Sequence, residues 1–249
     1  MTTRISRICS LGRCGIGIML LATPLLLASS AYADTISIGF QEAGVNSGNI
    51  TTVGTGSGTL TIPTTPYGSF TINQANAQDF AVLPGNGLLN SNNLNISSNT
   101  AGTLTIWVTA QGLSFSGVQD FRSSFAVNEI SGSITNVAES TYFSPTNGLF
   151  DMGLSPLDSA SFTAIATAGP FNTSGSTSGT YSVTEKYVIT DVGGAAGDDN
   201  ITIDLSATPV TVVTAEPGTL LLMGSGLALA GLLFYRRNNK RPRLLIHNA

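Results

Sequence analysis

Apolar and polar residues alternate with a period of two along most of the chain between residues 34 and 209. In residues 103–111 the aliphatic side chains occupy every even-numbered position, from Leu104 to Ala110, and the odd positions carry Thr, Trp and Gln. Successive side chains of a β-strand point to opposite faces of the sheet, so this alternation predicts a strand with one buried face. We find no stretch here with the 3.6-residue period of an amphipathic helix.

Further strands are predicted wherever the same alternation recurs between turn signals. They cover residues 35–40, 49–62, 67–72, 80–83, 119–129, 131–143, 161–168, 179–190 and 200–213. Segments 49–62 and 131–143 are each predicted as a strand pair. Residues 129–132 are predicted as a hairpin turn. Gly and Pro favour such turns because Gly frees the backbone angle φ and Pro fixes it. Residues 87–101 are rich in Asn and Ser and predict a loop around one short strand at residues 94–96.

About ten to twelve short strands separated by turn signals predict an all-β fold. We expect a single β-sandwich with jelly-roll-like connections over residues 34–209, which form the predicted ectodomain. A parallel β-helix is the alternative, but the sequence lacks the fixed internal repeat that such a fold requires.

The first 33 residues have the three parts of a secretory signal peptide. Three arginines precede an apolar stretch at residues 16–28, and Ala31-Tyr32-Ala33 is a cleavage site of the small-x-small type. We therefore expect export through the Sec machinery and cleavage after Ala33. The alternative is an uncleaved N-terminal anchor, which would export the chain equally well.

An uncharged segment near the other end, residues 219–235, is dominated by Leu, Ala, Gly and Met. As an α-helix it would span about 26 Å, close to the hydrocarbon thickness of about 30 Å. Arg236, Arg237 and three further cations follow it, and cations of this kind mark the cytoplasmic side of a membrane. The sequence predicts one transmembrane helix and a basic cytoplasmic tail at residues 236–249; a buried helix of a globular domain is the alternative.

The tail resembles the PEP-CTERM sorting signal of exopolysaccharide-producing Gram-negative bacteria. Glu216 and Pro217, the apolar segment and the arginines Arg236 and Arg237 follow one another in that family's order, although Ala215 stands where the family has its first Pro. The resemblance implies that residues 210–218 are a linker carrying the motif that an exosortase recognises. Exosortases are membrane-embedded, cysteine-type processing enzymes that release their substrates outward. Similar tails also occur on proteins described as ice-binding.

The predicted ectodomain is acidic and poor in charge. Residues 34–209 contain thirteen acidic side chains and two basic ones, Arg122 and Lys186, and they contain neither Cys nor His. The acidic balance disfavours nucleic acid and anionic lipid as partners, and it is compatible with divalent cations and neutral glycans. The missing residue types exclude a disulfide, a Ser-His-Asp triad, a cysteine nucleophile and an ordinary zinc site in this part of the chain.

One acidic segment is a candidate Ca²⁺ site. Carboxylate and amide oxygens of Asp191, Asp198, Asp199, Asn200 and Asp204 lie in and after a Gly-rich stretch, and Ca²⁺ prefers oxygen ligands. Their spacing does not match an EF-hand loop, so a solvated acidic turn is the favoured alternative. We predict no bound metal or cofactor.

Trp107 and the Thr-x-Thr pairs can each be interpreted either as part of a binding surface or as ordinary structural residues. Trp107 could stack on a sugar ring or pack against a loop or the second sheet. The Thr-x-Thr pairs at residues 59–61 and 103–105 could form a flat ice-type surface, but such pairs are common in ordinary strands. A glycosidase needs only two carboxylates, yet none of the acidic residues stands in a recognisable active-site context, and we predict no enzymatic activity.

The terminal signals and the resemblance together predict an exported cell-surface or extracellular-matrix protein with a structural or adhesive role in an exopolysaccharide or biofilm. Before processing, the ectodomain would face the periplasm from an inner-membrane anchor; afterwards it would reach the cell surface or the medium. Expected partners are the Sec machinery, an exosortase, the inner membrane and, as a candidate, exopolysaccharide, with no nucleic acid. A glycan-binding or Ca²⁺-dependent recognition module is the first alternative, and a carboxylate-based glycoside hydrolase is the second.

Overall fold

The computed structural model describes residues 35–79, 86–115, 117–153, 156–177, 179–210, 225–232 and 234–235. Within them, thirteen β-strands follow one another along the chain. They are β1 (Thr35–Glu42), β2 (Thr51–Gly56), β3 (Thr59–Ile62), β4 (Thr65–Tyr67), β5 (Phe70–Asp79), β6 (Gly87–Ser98), β7 (Gly102–Ser114), β8 (Gly117–Ile130), β9 (Ile134–Ser144), β10 (Asp158–Phe162), β11 (Ala166–Thr177), β12 (Thr180–Asp191) and β13 (Gly197–Pro209).

The strands form two antiparallel sheets, which confirms the predicted all-β class. The first sheet has the order β10-β9-β12-β7-β1-β2, and the second has the order β11-β8-β13-β6-β5-β3, with β4 also paired to β5. From β6 to β9 every connection crosses from one sheet to the other. The inward side chains of both sheets therefore share one core, as expected for a sandwich.

The core is built from alternate positions of the strands. In β7 the four even-numbered aliphatic residues from Leu104 to Ala110 are all 0% exposed, as their alternation predicted. An aromatic group fills part of the interior, where Phe121 of β8 lies against Phe143 and Tyr181 with ring centroids 5.2 and 6.4 Å away. Burying large apolar side chains of this kind stabilises a fold by about 1.5–3 kcal/mol each.

The loop predicted at residues 87–101 is wrong, because β6 occupies most of it. β6 is twelve residues long and lies between β13 and β5 inside the second sheet. Its inward positions alternate until Ser91, and Asn93 has a φ of 49°, where the register with both neighbours shifts. The irregularity changes the phase of the alternation, and the Asn and Ser residues at outward positions mimic a loop composition.

The hairpin predicted at residues 129–132 is also wrong. A turn is present there, but it carries the chain from β8 in the second sheet to β9 in the first. Residues 131–143 accordingly supply one strand rather than a pair. Gly132 has a φ of 62°, and a Cβ at this position would lie 1.8 Å from the Ala196 carbonyl oxygen. The turn is therefore fixed by close packing against the loop that precedes β13.

Two further strand predictions are wrong in how the strands connect. Residues 49–62, predicted as a strand pair, contain β2 and β3, which lie in different sheets. Residues 67–72, predicted as one strand, contain the end of β4, a turn at residues 68–69 and the start of β5.

Residues 161–168, predicted as one strand, contain the end of β10, a bend at residues 163–165 and the start of β11. The last strand begins at Gly197, three residues before its predicted start. The strand predicted at residues 80–83 lies outside the described residues.

A long connection, residues 145–153, covers part of the outer face of the first sheet. Asn147 accepts a hydrogen bond from the Gln111 side chain at 2.8 Å, and Ser182 donates to the Gly148 carbonyl at 2.7 Å. The Phe150 ring lies over Gly39 of β1, where an added Cβ would come within 2.7 Å of it. Glycine at position 39 therefore leaves the space that this ring fills.

Replacing Gly39 by Ala should destabilise the sandwich by about 1–3 kcal/mol, because the new methyl group displaces Phe150 and Ile50. Gly56→Ala in β2 of the same sheet is the matched control, since its Cβ would meet the nearest atom, on Leu60, at 3.5 Å. Urea unfolding of both variants measures the difference. Equal stability of the two variants would contradict the close contact at Gly39.

Helical residues are found near the predicted membrane segment. Residues 225–232 and 234–235 are helical, while the rest of the segment lies outside the described residues. Among the described residues, no helix has the length and apolar character needed to cross a membrane.

Candidate functional site

The outer face of the second sheet is covered with amides and hydroxyls, and we call it the polar face. Its side chains come from the outward positions of β5, β6, β8 and β13, which alternate with core positions. They include Asn73, Gln78, Asn90, Asn95, Arg122, Asn128, Asn200, Thr202, Asp204 and Ser206. Strand alternation thus places groups that both donate and accept hydrogen bonds side by side on a rigid surface.

Some amide side chains of the polar face form hydrogen bonds with one another. The Asn73 amide donates to the Asn95 side-chain oxygen at 2.6 Å, and the Asn128 amide donates to the Asn200 oxygen at 3.2 Å. Each of these bonds joins neighbouring strands of the sheet. These amides therefore act mainly as cross-strand pairs that stabilise the sheet.

A concave region interrupts the polar face, and we call it the groove. It has a volume of about 560 Å³ and is lined mainly by Gln78, Asn90, Arg122, Asp204, Ser206 and Thr208. Arg122 and Asp204 are exposed, and they supply one positive and one negative charge. A guanidinium, a carboxylate, two amides and two hydroxyls can together hydrogen-bond to a ligand with many hydroxyl groups.

Three carboxyl groups lie in the core between the two sheets. Glu139 of β9, Glu185 of β12 and Asp199 of β13 are each 0% exposed. Ser91 donates a hydrogen bond to Glu185, and the Ser91 and Tyr187 hydroxyls are 2.5 Å apart. Both oxygens of Glu139 and of Asp199 are buried without a hydrogen-bond partner in the described structure.

Burial determines the protonation of these carboxyls. Loss of hydration, with a further contribution from Asp199, raises the pKa of Glu139 to about 9. Loss of hydration also raises the pKa values of Glu185 and Asp199 well above their usual range. A charged carboxylate is costly in a core, whereas a protonated one is tolerated. Glu139 is therefore neutral at pH 7, and burial favours the protonated form of Glu185 and Asp199 as well.

The structure separates the residues of the candidate Ca²⁺ site. β13 begins at Gly197, so Asp198 and Asp204 point outward while Asp199 points into the core. Asp191 ends β12, and its carboxylate accepts a hydrogen bond from the Gly193 backbone at 2.5 Å. Among the described residues, no three Asp, Glu, His or Cys side chains are grouped in a way that could hold a metal ion.

Trp107 and the Thr pairs have structural positions. Trp107 is only 4% exposed, and the Lys186 ammonium lies 4.8 Å from its ring centroid, so the ring is buried and does not offer a free face to a sugar. The Thr pair at residues 59–61 lies in β3 and the pair at residues 103–105 lies in β7. These strands belong to different sheets, so the two pairs do not form one surface.

The sorting motif predicted at Glu216, Pro217, Arg236 and Arg237, and the cleavage site predicted at Ala31 and Ala33, lie outside the described residues. No protein-family model and no curated protein matches this chain. The candidate site therefore rests on the geometry of the polar face alone.

Sequence reasoning did not single out the groove. Arg122 is one of only two basic residues among residues 34–209, and it occupies an outward position of β8. A single cation at an outward position of a strand, in a sequence so poor in charge, could have indicated a binding surface at this position. Its neighbours Gln78 and Asp204 come from strands far away in the chain, and only the strand order brings them together.

Proposed function

We propose that this chain is an exported β-sandwich with a structural or adhesive role in an exopolysaccharide or biofilm matrix. A PEP-CTERM-like tail sorts it, and an exosortase releases it from the inner membrane. The signal peptide at residues 1–33, the transmembrane helix at residues 219–235 and a jelly-roll-like arrangement of the strands belong to the same proposal.

The observation that carries this proposal is the order of features in the tail. Glu216-Pro217, an uncharged segment and an arginine pair follow β13, which is the last strand among the residues that the structure describes. A folded domain followed at once by an anchor and a cationic stop is suited to display outside the membrane. The helical conformation of residues 225–232 is compatible with such an anchor.

The polar face supports a matrix role. It presents mainly amides and hydroxyls, and the groove combines one cation with one anion. A surface of this composition exchanges hydrogen bonds with hydrated, neutral polymers at little electrostatic cost.

Processing of the tail is the first prediction of this proposal. Intact-mass measurement in cells that contain the exosortase should show a chain that starts at Asp34 and ends near Glu216, recovered outside the inner membrane. Cells without the exosortase should retain the longer chain in the inner-membrane fraction. Pro217→Ala should reduce the released material strongly, whereas Ala215→Pro, which restores the family's first Pro, should increase it.

Pro242→Ala is the matched control, because it removes a proline from the basic tail without touching the motif. Its release should equal that of the natural chain. An unchanged C-terminus in the inner membrane of exosortase-containing cells would overturn the release step and leave a permanently anchored protein.

A glycan-binding module is the second candidate function, and the groove is the observation that favours it. A carboxylate-based hydrolase would need two acids about 5–10 Å apart in a cleft. Among the described residues that line the groove, Asp204 is the one carboxylate. Incubation with neutral oligosaccharides, followed by measurement of new reducing ends, tests for hydrolysis directly.

A further inference from the structure

We propose that a neutral oligosaccharide binds across the polar face, seated in the groove and in an apolar depression that adjoins it. This inference rests on the proposed matrix function and names the ligand class and the residues that hold it. Arg122 and Asp204 are the two charged groups that orient the ligand.

The adjoining depression extends the groove toward the edge of the second sheet. It has a volume of about 280 Å³, is lined in part by Ala126, Ala168 and Pro170, and shares Asp204 with the groove. Together the two depressions reach over β11, β8, β13, β6 and β5, which are neighbours in the sheet. At roughly 4.8 Å per strand this path is about 19 Å long, which gives room for several sugar rings.

The groove contains hydrogen-bonding groups that the protein does not use. Elsewhere on the polar face the amides pair with one another, as Asn73 does with Asn95. Within the described part of the chain, by contrast, the side chains of Gln78, Arg122, Asp204, Ser206 and Thr208 make no hydrogen bond or ion pair. Several unpaired donors and acceptors that converge on one concave surface are typical of a binding site for a polar ligand.

The charges of the groove select for a ligand without net charge. Arg122 and Asp204 balance each other, while Asp120 and Asp198 lie elsewhere on the outward positions of β8 and β13. A polyanionic chain would gain one cation and approach several carboxylates, so it is disfavoured. A neutral sugar can accept from the guanidinium and donate to the carboxylate, and both of those hydrogen bonds are charge-assisted.

The two depressions also match the two kinds of surface that a sugar ring has. Its hydroxyl groups project from the edge, and its C–H groups form an apolar face. The amides, hydroxyls and charges of the groove suit the edge, and the ring of Pro170 with the methyl groups of Ala126 and Ala168 suits the apolar face. A ligand that was only a polar small molecule would leave the second depression unused.

Isothermal titration of the full chain with cellohexaose, laminarihexaose, mannohexaose and chitohexaose tests the proposal. The chain is purified in a detergent without a sugar headgroup, and hexagalacturonate serves as the anionic comparison. We expect at least one neutral hexasaccharide to bind and hexagalacturonate not to bind. Asp204→Ala and Arg122→Gln should each weaken that binding about tenfold or more, because each removes a charged hydrogen-bond partner.

Asp198→Ala is the matched control, since Asp198 lies on the outward side of the same strand as Asp204 and does not line the groove. Its affinity should equal that of the natural chain. Binding of none of the neutral hexasaccharides, or equal effects of the variants at positions 198 and 204, would overturn the proposal. If the exosortase releases the chain normally but no sugar binds, only the proposed sugar site in the groove is refuted. If the chain binds sugar but is never exported, only the proposed matrix function is refuted.

Discussion

Raising the pH from about 5 to about 9 should progressively destabilise the sandwich, because Glu139, Glu185 and Asp199 are held protonated in the folded core. The unfolded chain releases these protons near the ordinary pKa values of 4.5 for Glu and 3.8 for Asp. A group whose pKa is raised by folding stabilises the fold fully below its unfolded pKa. That contribution is lost as the pH rises toward the folded pKa.

For Glu139 this window extends from pH 4.5 to about pH 9. Within it, Glu139 lowers the free energy of unfolding by about 1.4 kcal/mol per pH unit. Urea unfolding at a series of pH values, followed by the fluorescence of the single tryptophan, Trp107, measures this slope. The indole is 4% exposed in the folded state and becomes hydrated on unfolding.

Glu139→Gln isolates the contribution of one carboxyl. The amide has nearly the same shape and does not ionise, so the slope should decrease by about 1.4 kcal/mol per pH unit between these limits. Glu129→Gln, at an exposed position of β8, controls for the loss of an acidic residue at the surface. Parallel curves for the natural chain and Glu139→Gln would show that Glu139 does not stay protonated on folding.

Phe121→Ala should lower the free energy of unfolding by about 3–5 kcal/mol. Phe121 is 1% exposed, and its ring packs against Phe143 and Tyr181. A Cβ added at Gly175 would come within 2.8 Å of the same ring, so the site is tightly enclosed. Truncation removes buried apolar surface and leaves a cavity that these neighbours can fill only in part.

Phe171→Ala on β11 is the matched control, because the same atoms are removed from a side chain that is 38% exposed. Its ring still lies 6.0 Å from that of Phe125, so a smaller loss is expected. Denaturant midpoints of the two variants give the comparison. Losses of equal size would contradict the central position of Phe121 in the core.

The alternation of apolar and polar residues predicted strands correctly where every core-facing position of the strand is apolar. β7 is the clearest case, because its even-numbered positions are aliphatic and its register with β1 is uninterrupted. β6 was missed because a left-handed Asn93 changes the phase of the pattern and Ser91 takes an inward position. A local irregularity of this kind is decided by how neighbouring strands pair, which one segment of sequence does not reveal.

The pattern of residues within one segment could not predict which strands pair with one another. Glu129 and Gly132 have the composition of a hairpin turn, but whether the chain returns to the same sheet depends on contacts with distant strands. The same holds for Glu139 and Glu185, which occupy core phases of β9 and β12 although charged residues are rarely buried. The burial of Glu185 is explained by Ser91, which donates a hydrogen bond to it and also contacts the Tyr187 hydroxyl.

The position of β13 has a mechanical consequence. It is the last strand in the described part of the chain, and it lies between β6 and β8 with a ladder on each side. A tensile load applied to the chain beyond Pro209 therefore acts first on a strand that two neighbours hold, and extracting it requires both ladders to fail together. Asp204 lies on this same strand. Tension between a polymer bound at Asp204 and the C-terminal segment would therefore act along a few residues of β13. The packed interior would not transmit it.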